Sequence, residues 1–195
     1  MMYINKESES KLHKYGSLLL EWNKSINLIS RTTEKDFWNR HIIDSAQIFK
    51  HLLPEDHVYD LGSGAGLPGI ILSILGIKHV TLIEKSSRKC AFLNQASLLS
   101  ENKISIINDR IENCTNIPTP KINILTSRAL SSLNNLLEYN KFFMPTKGFL
   151  ILKGQSFQKE LEDARKNWDF DVEIFPSITN IESAILRINN VIQKN

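Results

Sequence analysis

Apolar residues recur at three- and four-residue steps early in the chain, at Leu12, Tyr15, Leu18, Leu19, Trp22 and Ile26, which places them on one face of a helix. A second series, Phe37, Trp38, Ile42, Ile43, Ala46, Phe49, Leu52 and Leu53, is closed by Pro54, a residue that cannot continue a helix. The pattern therefore predicts two leading helices. Beyond Pro54 the apolar positions regroup into short strand-like runs separated by stretches of helical period. A run at 57–61 precedes a helix over 68–75, one at 79–84 precedes a helix over 86–101, and a third run lies at 104–108. A run at 122–126 leads into a helix near 130–142, and one at 149–153 into a helix near 157–168.

Strands alternating with helices imply parallel pairing through right-handed crossovers, with helices on both faces of the sheet. The rhythm breaks at the end, where 172–175 and 184–191 are strand-like and the turn-rich linker between them holds Pro176 and Asn180. That break predicts an antiparallel hairpin at one sheet edge. The expected fold class is α/β: a Rossmann-like, mostly parallel, doubly wound sheet with an antiparallel edge hairpin and leading N-terminal helices. With 195 residues, the expectation is one domain over 1–195, comprising a helical extension at 1–54 and a Rossmann-like core at 55–195.

Between the first strand and its helix lies Asp60-Leu61-Gly62-Ser63-Gly64-Ala65-Gly66-Leu67-Pro68-Gly69, which holds four of the chain's eight glycines. Such a concentration suits a tight turn that lets a nucleotide-type ligand approach the backbone. The Gly-x-Gly-x-x-Gly match at Gly64, Gly66 and Gly69 fits both a dinucleotide and an S-adenosylmethionine site. Asp60, at the strand's carboxyl end, would repel a pyrophosphate but suits the cationic amino and sulfonium groups of S-adenosylmethionine. Pro68 removes a backbone donor that a phosphate would use. Glu84, ending the next strand, is placed to accept ribose hydroxyls from either cofactor. The chain after Gly154 has room for a helix and a hairpin and none for a second nucleotide-binding half. These features favour a class I S-adenosylmethionine-dependent methyltransferase over the alternative, a small NAD-dependent oxidoreductase. Asp60 also admits a plainer role, capping the turn through its own hydrogen bonds.

Net charge is only +3, which permits an anionic partner without demanding one. Cys90 and Cys114 are the two cysteines, too few for a disulfide framework, and no Cys-x-x-Cys or Cys/His cluster suggests a metal. No run of eighteen apolar residues suggests a membrane span, so the sequence predicts a cytoplasmic protein without a membrane partner.

In α/β sheets the ligand lies at the carboxyl ends of the strands, so Thr126-Ser127-Arg128-Ala129 should face the transferred group. This stretch has no Asn/Asp-Pro-Pro-aromatic element of amino-group methyltransferases, no Pro-Cys nucleophile and no acid. A site without an evident general base suits an acceptor that already carries a lone pair, such as a ring nitrogen of guanine. Arg128 would align it, since a guanidinium fork binds guanine O6 or a phosphate; the other reading of Arg128 is a salt bridge to a nearby acid.

The chain resembles the RsmG or GidB family of bacterial 16S ribosomal RNA guanine-N7 methyltransferases from about Trp22 to Gly154. The likeness rests on Trp22-Asn23-Lys24 with Asn27-Leu28, on Arg40-His41-Ile42-Ile43-Asp44-Ser45 and on the glycine loop with its Leu67-Pro68-Gly69. It continues through Arg88-Lys89, Arg110-Ile111-Glu112, Ser127-Arg128-Ala129 and Leu152-Lys153-Gly154. The resemblance implies S-adenosylmethionine as donor and N7 of a guanine in the 530 loop of the small-subunit RNA as acceptor, with a monomer acting on 16S ribosomal RNA or the small subunit. It implies cofactor contacts from Gly62, Leu67, Ile111, Glu112 and Arg128, which join Asp60, Ser63, Gly64, Gly66 and Glu84 of the loop and the second strand as the expected cofactor site. It also implies RNA contacts from Lys24, Arg31, Arg40, His41 and Lys153. His41 and Asp44, three apart, admit a local hydrogen bond as well as a substrate-side role. The chain departs from the family at Ile181-Glu182-Ser183-Ala184, where relatives often carry an Arg-His pair, and in a shorter amino-terminal helical region. An S-adenosylmethionine-binding RNA module without turnover is the alternative these departures suggest.

Overall fold

In the computed structural model, which describes residues 4–116 and 122–194, the strands are β1 (His57–Leu61), β2 (His79–Ile83), β3 (Lys103–Ile107), β4 (Ile124–Arg128), β5 (Phe149–Lys153), β6 (Trp168–Pro176) and β7 (Ala184–Gln193). They form a seven-stranded sheet in the order β3-β2-β1-β4-β5-β7-β6. The first five pair in parallel, and β7 runs antiparallel to both β5 and β6. Strands β1, β4 and β5 are covered on both faces, so their buried positions run consecutively instead of alternating. The expected edge hairpin is present, and its second strand lies inside, between β5 and β6.

The helices are α1 (Lys6–Asn23), α2 (Asp44–Ala46), α3 (Gly69–Leu75), α4 (Ser87–Ser97), α5 (Leu133–Leu137), α6 (Asn140–Phe143) and α7 (Phe157–Ala164). Asn5 caps α1 by accepting from the Ser8 N–H at 2.8 Å, the role for which a short polar side chain is favoured there. Leu12, Tyr15 and Leu19 on α1 are fully buried in one cluster with Ile70 and Ile71 of α3 and Phe92 and Leu93 of α4, so the leading helix packs on these two helices, which cover one face of the sheet. The Tyr15 hydroxyl donates to the Ala65 carbonyl at 2.6 Å, which satisfies a buried polar group and ties α1 to the glycine loop. A second cluster, including Leu125, Leu136, Phe149, Leu161 and Trp168, fills the opposite face.

Three elements differ from the sequence pattern. The second leading helix is not a regular α-helix: a tight turn at Arg31–Asp36 leads to a widened π turn at Trp38–Ile43, then α2, then a tight turn at Gln47–His51. The widened turn carries Arg40 and His41, and turns of this kind recur at functional positions. The helix expected near 130–142 is broken into α5 and α6. The break falls at Glu138 and Tyr139, where the Tyr139 hydroxyl reaches back to Glu112. Finally, Trp168 begins β6 instead of ending a helix: Trp168 and Phe170 point inward and Asp169 and Asp171 outward, the period of a strand. The Trp168 indole N–H donates to Asn134 Oδ1 at 3.2 Å. Among the described residues no helix is long and apolar enough to cross a membrane.

Candidate active site

Asp60 and Glu84 shape the loop after β1 from below and from the side. Asp60 is fully buried; its Oδ2 accepts from the Gly69 N–H at 3.0 Å, anchoring the start of α3. Its Oδ1 is buried with no hydrogen-bond partner. Burial pushes the carboxyl pKa up to about 7, against the pull of the Gly69 N–H and the Arg128 charge. A Cβ at Gly69 would stand 2.9 Å from that same carboxylate, so no larger residue fits between Asp60 and the helix. Glu84 Oε2 accepts from the Gly64 N–H at 3.0 Å and Oε1 from the Ser86 N–H at 2.8 Å, so this one carboxylate clasps the loop to the start of α4.

Above the loop lies a cavity of about 290 Å³ lined by Gly62, Gly64, Glu84, Ile111, Glu112 and Leu130, with Lys89, Asp109, Arg110 and Tyr139 completing its wall. Five of the expected cofactor residues thus meet in one cavity. Asp60, Ser63, Gly66, Leu67 and Arg128 do not line it. Ser63 and Leu67 are buried beneath the loop, Ser63 donating from its hydroxyl to the Asp60 carbonyl at 2.8 Å, and these residues support the loop's shape. Gly62 has φ +66°, and a Cβ there would run into the Leu130 side chain, so glycine is required for Leu130 to cover the loop. The Glu112 carboxyl is held below the usual carboxylate range, chiefly by its own backbone N–H, and accepts from the Tyr139 hydroxyl at 3.2 Å.

A larger cavity of about 770 Å³ opens beside it, lined by Arg40, His41, Asp44, Arg128 and Lys153 and rimmed by Ser177, Thr179 and Asn180 of the turn joining β6 to β7. Ala129 and Leu130 line both cavities, so the two meet immediately after Arg128 at the carboxyl end of β4. Ala129 itself has φ 53°, a left-handed conformation seldom adopted outside glycine and asparagine.

Arg128 is held from three sides. Its Nη2 lies 2.6 Å from His41 Nδ1, its Nη1 donates to the Ser45 hydroxyl at 3.3 Å, and its Nε stands 3.7 Å from Asp44 Oδ2. The salt bridge that the sequence offered as one reading of Arg128 is present, to Asp44, and Arg128 also lines the larger cavity. No hydrogen bond joins His41 to Asp44; the imidazole lies 2.8 Å from the Thr33 hydroxyl, while Asp44 Oδ1 accepts from Gln47 at 2.9 Å and from Thr179 at 2.8 Å. Burial, reinforced by Arg128 and Arg40, pushes the His41 pKa down to about 4, so the ring is neutral.

The ammonium of Lys153, expected to reach RNA, instead donates to the Ser131 carbonyl and to Glu160 Oε2, each at 2.7 Å, with only 8% of its side chain exposed. Lys24 and Arg31 are exposed and line neither cavity. The sequence reading missed Thr33 and Ser45 as partners of the Arg128 assembly, and Asp109, Tyr139 and Leu130 in the smaller cavity. The position of Asp109 just past β3 was a usable signal, because ligands collect at the carboxyl ends of strands; the others come from the fold alone.

The strand order, with an antiparallel strand inserted where a dinucleotide-binding sheet continues in parallel, together with the glycine loop below two joined cavities, defines a class I methyltransferase. In fold the chain is similar to a mutant of MtNAS solved in complex with S-adenosylmethionine, with a TM-score of 0.57 at 14% identity, covering 96% of this chain and 76% of that one. It is also similar to an rRNA methylase from Streptococcus thermophilus, with a TM-score of 0.52 at 18% identity, covering 77% and 93%. The chain belongs to the GidB family, rRNA small subunit methyltransferase G, whose model matches residues 8–188. The protein named ribosomal RNA small subunit methyltransferase G from Rickettsia prowazekii is 45% identical over 191 residues, covering 97% of this chain and 98% of its own. Its namesake from Orientia tsutsugamushi (strain Boryong) is 46% identical over 186 residues, covering 95% and 92%.

Proposed function

We propose that the chain transfers a methyl group from S-adenosylmethionine to N7 of a guanine in the 530 loop of 16S ribosomal RNA, acting as a cytoplasmic monomer. The observation that carries this reading is the junction of the two cavities at Ala129 and Leu130, beside Arg128. The smaller cavity fits the cofactor: it has an open glycine backbone, a carboxylate at the end of β2 and, beneath it, the unpartnered Oδ1 of Asp60. When bound, the cofactor supplies an electrophilic methyl group on a sulfonium.

The protein's own residues bind and align. Glu84 keeps lone pairs for ribose hydroxyls beyond its two backbone bonds. Ile111 and Glu112 bound the adenine end, and Asp60 offers negative charge to the cationic end of the cofactor. Arg128 directs its fork into the larger cavity, toward guanine O6 or a neighbouring phosphate. Guanine N7 already has a lone pair, so no proton is removed before attack. The acid and imidazole beside Arg128 hold that arginine in place. Arg40, and beyond the cavities Lys24 and Arg31, supply phosphate contacts. We assign Lys153 to support of the β4–α5 loop instead, because its charge is already paired.

Incubation with labelled S-adenosylmethionine and small ribosomal subunits lacking the modification should yield 7-methylguanosine at one position. Label in protein alone, or in another nucleoside, refutes the reading. Cofactor binding by calorimetry with no transfer to any RNA would instead establish a binding module without turnover.

A further inference from the structure

We propose that His41 is a positioning residue for methyl transfer: as the Nε2–H tautomer, held by Thr33, it presents its Nδ1 lone pair to Arg128 and aims that guanidinium into the acceptor cavity. The proposal rests on Arg128 being the residue that aligns the substrate.

The protons can be assigned one by one. The Thr33 hydroxyl has a single hydrogen, and it is donated to the Ser30 carbonyl at 2.7 Å. Its oxygen can therefore meet His41 Nε2, 2.8 Å away, only as an acceptor, which places the imidazole proton on Nε2. A neutral imidazole with its proton on Nε2 has a bare lone pair on Nδ1. Arg128 has donors and no acceptor, so the 2.6 Å contact from its Nη2 to Nδ1 requires that lone pair. A chain of three hydrogen bonds thus runs from the backbone at Ser30 to the guanidinium, and the tautomer is consistent at every link.

The remaining contacts on Arg128 are longer, 3.3 Å to Ser45 and 3.7 Å to Asp44, so the His41 contact is its shortest among the described residues. A guanidinium carries five N–H groups, and these three partners leave at least two for a substrate. His41 is 5% exposed and lies against Phe37, with ring centroids 5.7 Å apart, so its plane is fixed by packing as well. It is too enclosed to act as a phosphate contact of its own.

The test separates the two ring nitrogens. His41→Asn places an amide oxygen near the Nδ1 position and keeps an acceptor for Arg128. His41→Gln reaches toward Thr33 and leaves Arg128 without one. His41→Gln should lower kcat about tenfold or more, with KM for S-adenosylmethionine and the thermal midpoint close to those of His41→Asn, while His41→Asn should recover most of kcat. Equal losses in both variants, or wild-type kcat in His41→Gln, overturn the proposal, because a purely structural histidine would not distinguish them. Nitrogen NMR on the protein alone should show a protonated Nε2 and a bare Nδ1. An Nδ1–H signal in a protein that still makes 7-methylguanosine overturns this inference alone; no 7-methylguanosine from the wild type overturns the functional reading on which it rests.

Discussion

The buried Asp60 carboxyl makes the stability of the unliganded protein depend on pH in a direction opposite to that of a salt-bridged acid. Burial raises its pKa from 3.8 to about 7, and its Oδ1 has no partner. An unfolded chain releases this proton near pH 4, the folded chain only near pH 7. Within that window the folded state binds the extra proton, so stability falls as pH rises: the loss is absent below pH 4 and complete above pH 7. Three pH units at about 1.4 kcal/mol each give a full loss of about 4 kcal/mol, a large share of a typical folding free energy of about 5–15 kcal/mol. Asp60→Asn removes the titration. Its amide oxygen still accepts from Gly69, but its NH₂ group falls where nothing accepts it, at a pH-independent cost of about 1–3 kcal/mol. Urea unfolding should be followed for both proteins at pH 5 and pH 8. Burial lowers the pKa values of His41, His51 and His57, which acts in the opposite sense below pH 6.5, but these residues are common to both proteins. The difference between variant and wild type therefore isolates Asp60, and it should move in the variant's favour by about 3 kcal/mol from pH 5 to pH 8. A difference that stays constant across that range refutes the reasoning. S-adenosylmethionine at pH 8 should restore stability to the wild type and not to the variant.

Two further substitutions probe the loop and the cationic rim. Gly62→Ala forces a side chain into a left-handed conformation, at about 1–2 kcal/mol, and against Leu130; calorimetry should show at least tenfold weaker cofactor binding, and unchanged affinity would disprove the close packing. Lys153→Met leaves the Glu160 carboxylate, whose side chain is 21% exposed, without its counter-charge, and should cost about 2–3 kcal/mol at neutral pH. Burial pushes the Glu160 carboxyl up, but the Lys153 bond and charge outweigh it and hold the pKa below 4.5, so the penalty should shrink as pH falls below about 4. If Lys153→Met instead weakens RNA binding and leaves stability unchanged, the ammonium is a substrate contact after all.

Much of the architecture was legible in the chain because it is local. Strand β1, the four-glycine loop and Glu84 lie within one βαβ unit, and hydrophobic period and glycine spacing report on such units directly. The strand from Trp168 was legible as well, since Trp168-Asp169-Phe170-Asp171-Val172 alternates at the period of a strand; the break at Tyr139, whose hydroxyl meets Glu112, was not.

The same distinction governs the site. The sequence by itself determined that a glycine loop with flanking acids stands at a strand end, and that Arg128 follows the strand-like run at 122–126. Only the tertiary structure decided that Asp60 lies beneath the loop, that Lys153 is paired with Glu160, and that Arg128 rests on His41, 87 residues earlier in the chain. A residue's type states which bonds it can make, but its charge, tautomer and reach depend on burial and on partners that the chain brings together only by folding.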